Sequence, residues 1–160
     1  MNRILPIDTA QEVIQKEKHA GKRVVLVGGV FDILHIGHVR FLQEAKKVGD
    51  ILVVALEPDS KVRKLKGEGR PINDENTRAY LLSCLQFVDY IAIFPQLWTN
   101  ENYGKITKQL SPDIVAITEG DPMEKEKQQQ IEAIGGELKV VTPKIPTPST
   151  TQLIKLLALE

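Results

Sequence analysis

The chain has 160 residues, with 21 Lys+Arg balanced by 21 Asp+Glu, so its formal net charge is zero; 42% of its residues are hydrophobic and 26% charged. A chain of this length buries roughly 70% of its extended surface, which suffices for one core and not two, so a single domain over 1–160 is expected. The neutral balance excludes a broad nucleic-acid surface, and no apolar run approaches the roughly 18 residues a membrane span needs. The N-terminal MNRILPIDTAQEV lacks the charged-then-apolar order of a secretory signal. The single cysteine, Cys84, cannot close an internal disulfide. A cytoplasmic, reducing setting is the expectation these features share.

In chain order, a leading helix within 1–22 is expected to start at Thr9, with Glu12 completing a capping box, and to stop at Gly21. Continuous apolar runs at 23–27, 51–56, 90–94, 113–117 and 137–141 read as strands buried on both faces. Amphipathic stretches lie between them. In 36–48, Ile36, Val39, Leu42, Ala45 and Val48 form one stripe, and 74–88, 102–110 and 124–134 follow the same period. A Pro-rich segment from 143 leads to a last helix near Ser149, where Ser149 and Gln152 can form a capping box. The alternation predicts βαβ units, hence an α/β fold with a five-stranded, mostly parallel sheet and helices on both faces.

The segment GGVFDILHIGH, 28–38, follows the first predicted strand and enters the first sheet-packing helix. It sits at the carboxyl edge of a parallel sheet, where open α/β folds bind ligands and where a helix N-terminus offers N–H groups to an anion. Gly28 and Gly29 permit close backbone approach, and Gly37 leaves room between His35 and His38, which are three residues apart and can face the same anion. Asp32 has two readings, a turn residue that caps the helix start or a ligand contact. From Lys61 to Arg70 there are five cations and one anion, a local charge of +4 in a neutral protein. They read as a mobile, Gly-containing loop able to close over a polyphosphate. Arg78 offers a rigid fork for phosphate, and Gly120-Asp121 follows the fourth predicted strand at the same edge. Cys84 reads as a small core thiol, His19 as a partner of its helix's C-terminal dipole, and Trp98 and Tyr103 as aromatics that can line an acceptor pocket.

These residues resemble the cytidylyltransferase-like nucleotidyltransferase superfamily, whose members carry His-x-Gly-His after strand one, and the resemblance covers nearly the whole chain. The same tetrapeptide marks class I aminoacyl-tRNA synthetases, but no Lys-Met-Ser-Lys-Ser-like stretch is present. The resemblance implies a Rossmann-like strand order 3-2-1-4-5 and in-line attack of an acceptor phosphate on a nucleotide α-phosphate. It implies catalytic roles for His35, His38, Lys66 and Arg78. Nucleotide contacts are implied for Gly29, Val30, Phe31, Asp32, Gly37, Lys64, Gly120, Asp121, Ser149 and Thr150. Mg²⁺ is expected to ride on the nucleotide rather than in a protein cage. Family members are often homodimers, and the sequence does not set the oligomeric state.

Within the family, the leading segment, Leu65-Lys66-Gly67 and Arg70-Pro71-Ile72-Asn73 are most similar to the adenylyltransferase domain acting on heptose 1-phosphate. The expected partners are therefore ATP and a sugar 1-phosphate. The alternatives are CTP with glycerol 3-phosphate, or a nucleotide-binding module without turnover. The chain departs from the heptose pattern at Thr118-Glu119, where relatives have Lys-Gly, and at Gly28-Gly29-Val30, where they have Asn-Gly-Cys.

Overall fold

The computed structural model describes residues 3–94, 101–144, 146 and 148–157, excluding the side chains of 101 and 102. Six strands, β1 (Ile4–Pro6), β2 (Val24–Gly29), β3 (Ile51–Leu56), β4 (Tyr90–Ile93), β5 (Ile114–Thr118) and β6 (Glu137–Thr142), form one sheet in the order β1-β4-β3-β2-β5-β6. Every pairing is parallel. The five expected strands take the expected order, and the strand count is corrected to six by β1, which adds to the outer side of β4. Three residues ending in a proline carry too little periodicity to be read as a strand, yet Pro6 is tolerated because β1 is an edge.

Side chains alternate across the sheet, and this decides which helix covers which face. Val24, Leu26, Ile51, Val53 and Ala55 point to one core, shared with Ile7, Ala10 and Ile14 of α1 (Ile7–His19), Ile106 and Leu110 of α5 (Glu101–Leu110), and Ile131 of α6 (Glu124–Glu132). Val25, Val27, Leu52, Val54 and Leu56 point to the other, shared with Leu42 and Ala45 of α2 (Ile36–Lys47) and Ala79 and Leu82 of α4 (Glu75–Ser83). Leu42 is fully buried, so truncating it to alanine should cost about 2–5 kcal/mol. Of the predicted stripe on α2, Leu42, Ala45 and Val48 reach this core, while Val39 is half-buried outside it and Ile36 is 51% exposed in the first turn.

Three local expectations are corrected. Helix α1 starts at Ile7 with Pro6 at its cap and no side-chain cap hydrogen bond, because β1 delivers the chain directly into the helix and places Thr9 inside its first turn. Much of the basic segment is helical: α3 (Asp59–Lys66) anchors on the fully buried Val62 and ends at Gly67, whose φ of 91° only glycine adopts readily. Cys84, at the end of α4, is exposed rather than core; the inward positions of that helix are Ala79 and Leu82.

The sheet opens where function is expected. Strand β2 pairs with β3 over six residues but with β5 over only two, Val25↔Ile114 and Leu26↔Val115. Beyond that point β2 and β5 separate. The helix after β2 covers one face and the helices α5 and α6 cover the other, so the separation coincides with the topological switch point.

Candidate active site

The turn between β2 and α2 is built on close backbone approach. A Cβ on Gly28 would stand 1.9 Å from the Tyr103 hydroxyl, and one on Gly29 would stand 2.8 Å from the Phe31 ring. Phe31 itself adopts φ 49°, a left-handed conformation costing about 1–2 kcal/mol in a residue with a Cβ. Its buried ring packs edge-on against His38 at 5.1 Å, which supplies compensating contact.

Asp32 is buried and does not cap α2. Its carboxylate accepts from Arg70 Nε at 2.8 Å, Ile72 N–H at 2.8 Å and Asn73 N–H at 2.9 Å, while its carbonyl accepts from Asn73 Nδ2 at 2.7 Å. Asp32 therefore ties residues 70–73 to the turn between β2 and α2. Arg78 completes the scaffold from beneath. Fully buried, it donates from Nε to Asn73 O, from Nη1 to Val30 O, and from Nη2 to Glu57 O and Asp59 Oδ1, at 3.0, 2.6, 2.9 and 2.7 Å. In this arrangement its fork braces three loops of the sheet edge, and no bidentate face is turned outward to a phosphate.

The cap of α2 is His35, whose Nδ1 accepts from the Gly37 N–H at 3.2 Å. That bond leaves the proton of the neutral ring on Nε2. The rings of His35 and His38 stack at 3.8 Å. Both titrate low: burial lowers His35, and burial followed by the neighbouring His35 brings His38 down to about 4. His38 Nδ1 is buried with no hydrogen-bond partner among the described residues. An arriving anion would reverse both effects by favouring the charged rings.

Helix α7 (Thr150–Leu157) brings a second N-terminus to the same place. Ser149 and Gln152 form the expected capping box: Ser149 N–H donates to Gln152 Oε1 at 2.7 Å and Gln152 N–H to Ser149 Oγ at 3.3 Å. Thr150 Oγ donates to Ile33 O at 3.3 Å and fastens α7 to the turn. His35, Gly37, His38, Thr118, Lys144 and Ser149 thus share one cavity of about 530 Å³.

A second cavity of about 420 Å³ lies on the other side of the turn, lined by Gly28, Gly29 and Val30 together with Glu57, Lys61 and Asp121. Asp121 also lines this cavity. Its Oδ1 accepts from Met123 N–H at 2.8 Å and its Oδ2 pairs with Lys127 at 2.7 Å, while Gly120 turns the chain at φ 75°. Glu57 is 6% exposed and pairs through Oε1 with Lys61 at 2.9 Å. Burial raises its pKa against the opposing pull of that lysine. Tyr103 is also pushed up, by burial first and then by Glu57 and Asp121, and Lys61 lies 4.9 Å over its ring. Lys64 and Lys66 are exposed on α3 and line neither cavity. Trp98 lies outside the described residues.

Three participants escaped the sequence reading. Lys144 sits in a Pro-rich stretch with no local signal. Lys61 was one cation among five, and its i−4 spacing from Glu57 was the available clue. Glu57 itself directly follows the apolar strand β3, where a buried carboxylate is unusual.

Fold and site together define a Rossmann-like α/β domain with two cavities at the edge where β2 and β5 stop pairing. Residues 26–156 match the cytidylyltransferase-like family, and the chain belongs to that family of nucleotidyltransferases. It is 40% identical over 152 residues to the bifunctional protein HldE of Aliarcobacter butzleri, covering 95% of this chain and 30% of that protein. The HldE of Nitratiruptor sp. is 46% identical over 116 residues, covering 72% of this chain and 24% of that protein. The chain therefore spans less than a third of the length of these curated relatives. The crystal structure of a lipopolysaccharide core biosynthesis protein from Thermoplasma volcanium superposes with a TM-score of 0.63 at 36% identity, covering 76% of this chain and 96% of that one. Pantoate-beta-alanine ligase from Francisella tularensis, at TM-score 0.64 and 15% identity over 92% of this chain and 69% of that one, shares the fold.

Proposed function

We propose that this chain transfers AMP from ATP to a sugar 1-phosphate of the heptose 1-phosphate kind and releases pyrophosphate. The observation that carries the transfer is the stacked His35–His38 pair at the N-terminus of α2, in a cavity that also receives Lys144 and the N-terminus of α7. The acceptor phosphate oxygen forms a bond to the α-phosphorus as the bond to the β-phosphate oxygen breaks, and the electron pair leaves with pyrophosphate. No side-chain nucleophile is needed, so the protein's contribution is alignment and neutralisation of developing charge.

In this reading His35 and His38 donate to the α-phosphate, Ser149 and Thr150 with the N–H groups of α7 hold the leaving phosphates, and Lys64 and Lys66 reach the phosphates from α3. The donors at the histidine cavity are ring N–H, ammonium and backbone N–H groups, which suit phosphate oxygens rather than a metal ion. Mg²⁺ fits as a passenger on the nucleotide, where it neutralises phosphate charge. The choice of ATP and a heptose phosphate is supported by similarity to HldE proteins over 95% of the chain and by the likeness to a lipopolysaccharide core biosynthesis protein.

Pyrophosphate release measured with ATP and with CTP, against heptose 1-phosphate, glycerol 3-phosphate and ethanolamine phosphate, tests the proposal. ATP with heptose 1-phosphate is the expected pair. Turnover confined to CTP and glycerol 3-phosphate would replace the substrate assignment, and nucleotide binding without release from any acceptor would favour a module without turnover.

A further inference from the structure

The cavity beside Glu57 differs from the histidine cavity in a way that points to a ligand. Three carboxylates line it, Glu57, Asp121 and Glu126, against two lysines, Lys61 and Lys127. Lys61 is paired with Glu57 Oε1 and Lys127 with Asp121. A second anionic group is thus disfavoured there. Glu57 Oε2 is buried and has no hydrogen-bond partner among the described residues. A buried acceptor left unmatched is costly, so an apolar occupant would leave that cost in place while a hydroxyl would remove it. The cavity volume of about 420 Å³ lies within the ordinary range for small-molecule sites.

Both cavities meet at the turn 28–38, which the proposed chemistry requires, because two phosphates must approach each other from different ligands. In-line attack brings the acceptor to the α-phosphate from the side opposite the leaving pyrophosphate, so with the nucleotide phosphates at the histidine side the transfer reading assigns the acceptor body to the second cavity. We propose that Glu57 is a specificity-determining residue, whose buried Oε2 accepts a hydrogen bond from a hydroxyl of a polyhydroxylated acceptor held in this second cavity. The inference rests on the nucleotidyl-transfer reading and adds to it the chemistry that the acceptor body must present.

The test is Glu57→Gln, which keeps shape but removes the charge, with Glu57→Asp as the conservative control, both checked for folding by thermal unfolding. With heptose 1-phosphate, Glu57→Gln should raise the acceptor KM tenfold or more while the ATP KM stays within twofold; Glu57→Asp should fall between wild type and Gln. An acceptor KM unchanged within twofold, or a shift in the ATP KM instead, overturns the proposal. So does equal wild-type turnover of ethanolamine phosphate, whose ammonium would be the better match for a plain negative pocket. Calorimetric titration of heptose 1-phosphate into each protein separates this inference from the reading it rests on. If wild type binds heptose 1-phosphate but releases no pyrophosphate, the transfer reading fails, while a tenfold weaker Kd in Glu57→Gln still supports the hydroxyl contact and an unchanged Kd overturns it.

Discussion

The two cavities share a turn and a sheet edge but differ in how they treat charge. On the histidine side the lining contains His35, His38 and Lys144 and, among the described residues, no carboxylate. On the Glu57 side, lysines are matched to acids and a carboxylate oxygen is left over. The difference follows from backbone direction and side-chain supply. Helices α2 and α7 both present their N-termini to the first cavity, which favours anions without any net protein charge. The second is lined by the end of β2, Glu57 just after β3, α3, Tyr103 of α5, and the start of α6 with the loop before it, where Asp121 and Glu126 offset the lysines. In the proposed reading, a protein of zero net charge holds a polyphosphate and a neutral polyol within one small edge.

Removing the brace common to both cavities should have the largest effect. Arg78→Ala strands Val30 O, Glu57 O and Asp59 in a buried setting and should cost about 3–5 kcal/mol in chemical denaturation, with both ligands' binding lost together. If only nucleotide binding is lost and stability is retained, Arg78 contacts phosphate rather than bracing the loops.

His38→Ala should break the histidine side alone. It is expected to lower kcat by about 10²–10³, the loss typical of one preorganised donor, with acceptor KM nearly unchanged and the fold intact. Full turnover in a folded variant would contradict the mechanism.

The low His38 pKa sharpens the comparison through pH. Its folded value of about 4 lies below the ordinary 6.5, so between those values the unfolded chain binds the proton more readily. Stability is therefore fully present above pH 6.5 and falls as pH drops toward 4, by up to roughly 3 kcal/mol. Denaturation of the ligand-free protein across this range, with and without His38→Ala, should show the slope flattened in the variant.

The smallest effects on the fold are expected outside both cavities. Lys66→Ala should change stability by no more than about 0.5 kcal/mol, since the side chain is exposed. A clear fall in kcat for this variant would show that α3 reaches the phosphates during turnover; an unchanged kcat would remove Lys66 from the site. Cys84→Ser should likewise leave the denaturation midpoint close to wild type, as its exposure implies.

Much of this arrangement was legible from local pattern. The apolar runs marked β2 to β5 because helices cover both faces of the sheet there, while β6 was marked by its run alone and lies half-exposed at the edge, and Ser149 with Gln152 spelled out its own cap. What escaped were features whose meaning depends on distant neighbours. The short strand β1 exists because β4 offers an unpaired edge. The basic run 61–70 looked like a loop, but Val62 had a core to enter and made its first part a helix. Asp32 gave no hint that its partners lay about 40 residues away in residues 70–73.

By itself the sequence determined the βα alternation, the order of the five long strands through family resemblance, and the placing of His35 and His38 at a helix start, since each depends on residues close in the chain. Only the tertiary structure decided that Arg78 is a buried brace, that Asp121 pairs with Lys127 beside the second cavity, and that Glu57 lies buried with an unmatched oxygen. Those outcomes depend on which donors and acceptors remain after distant loops converge, and that count is closed only when the sheet edge is assembled.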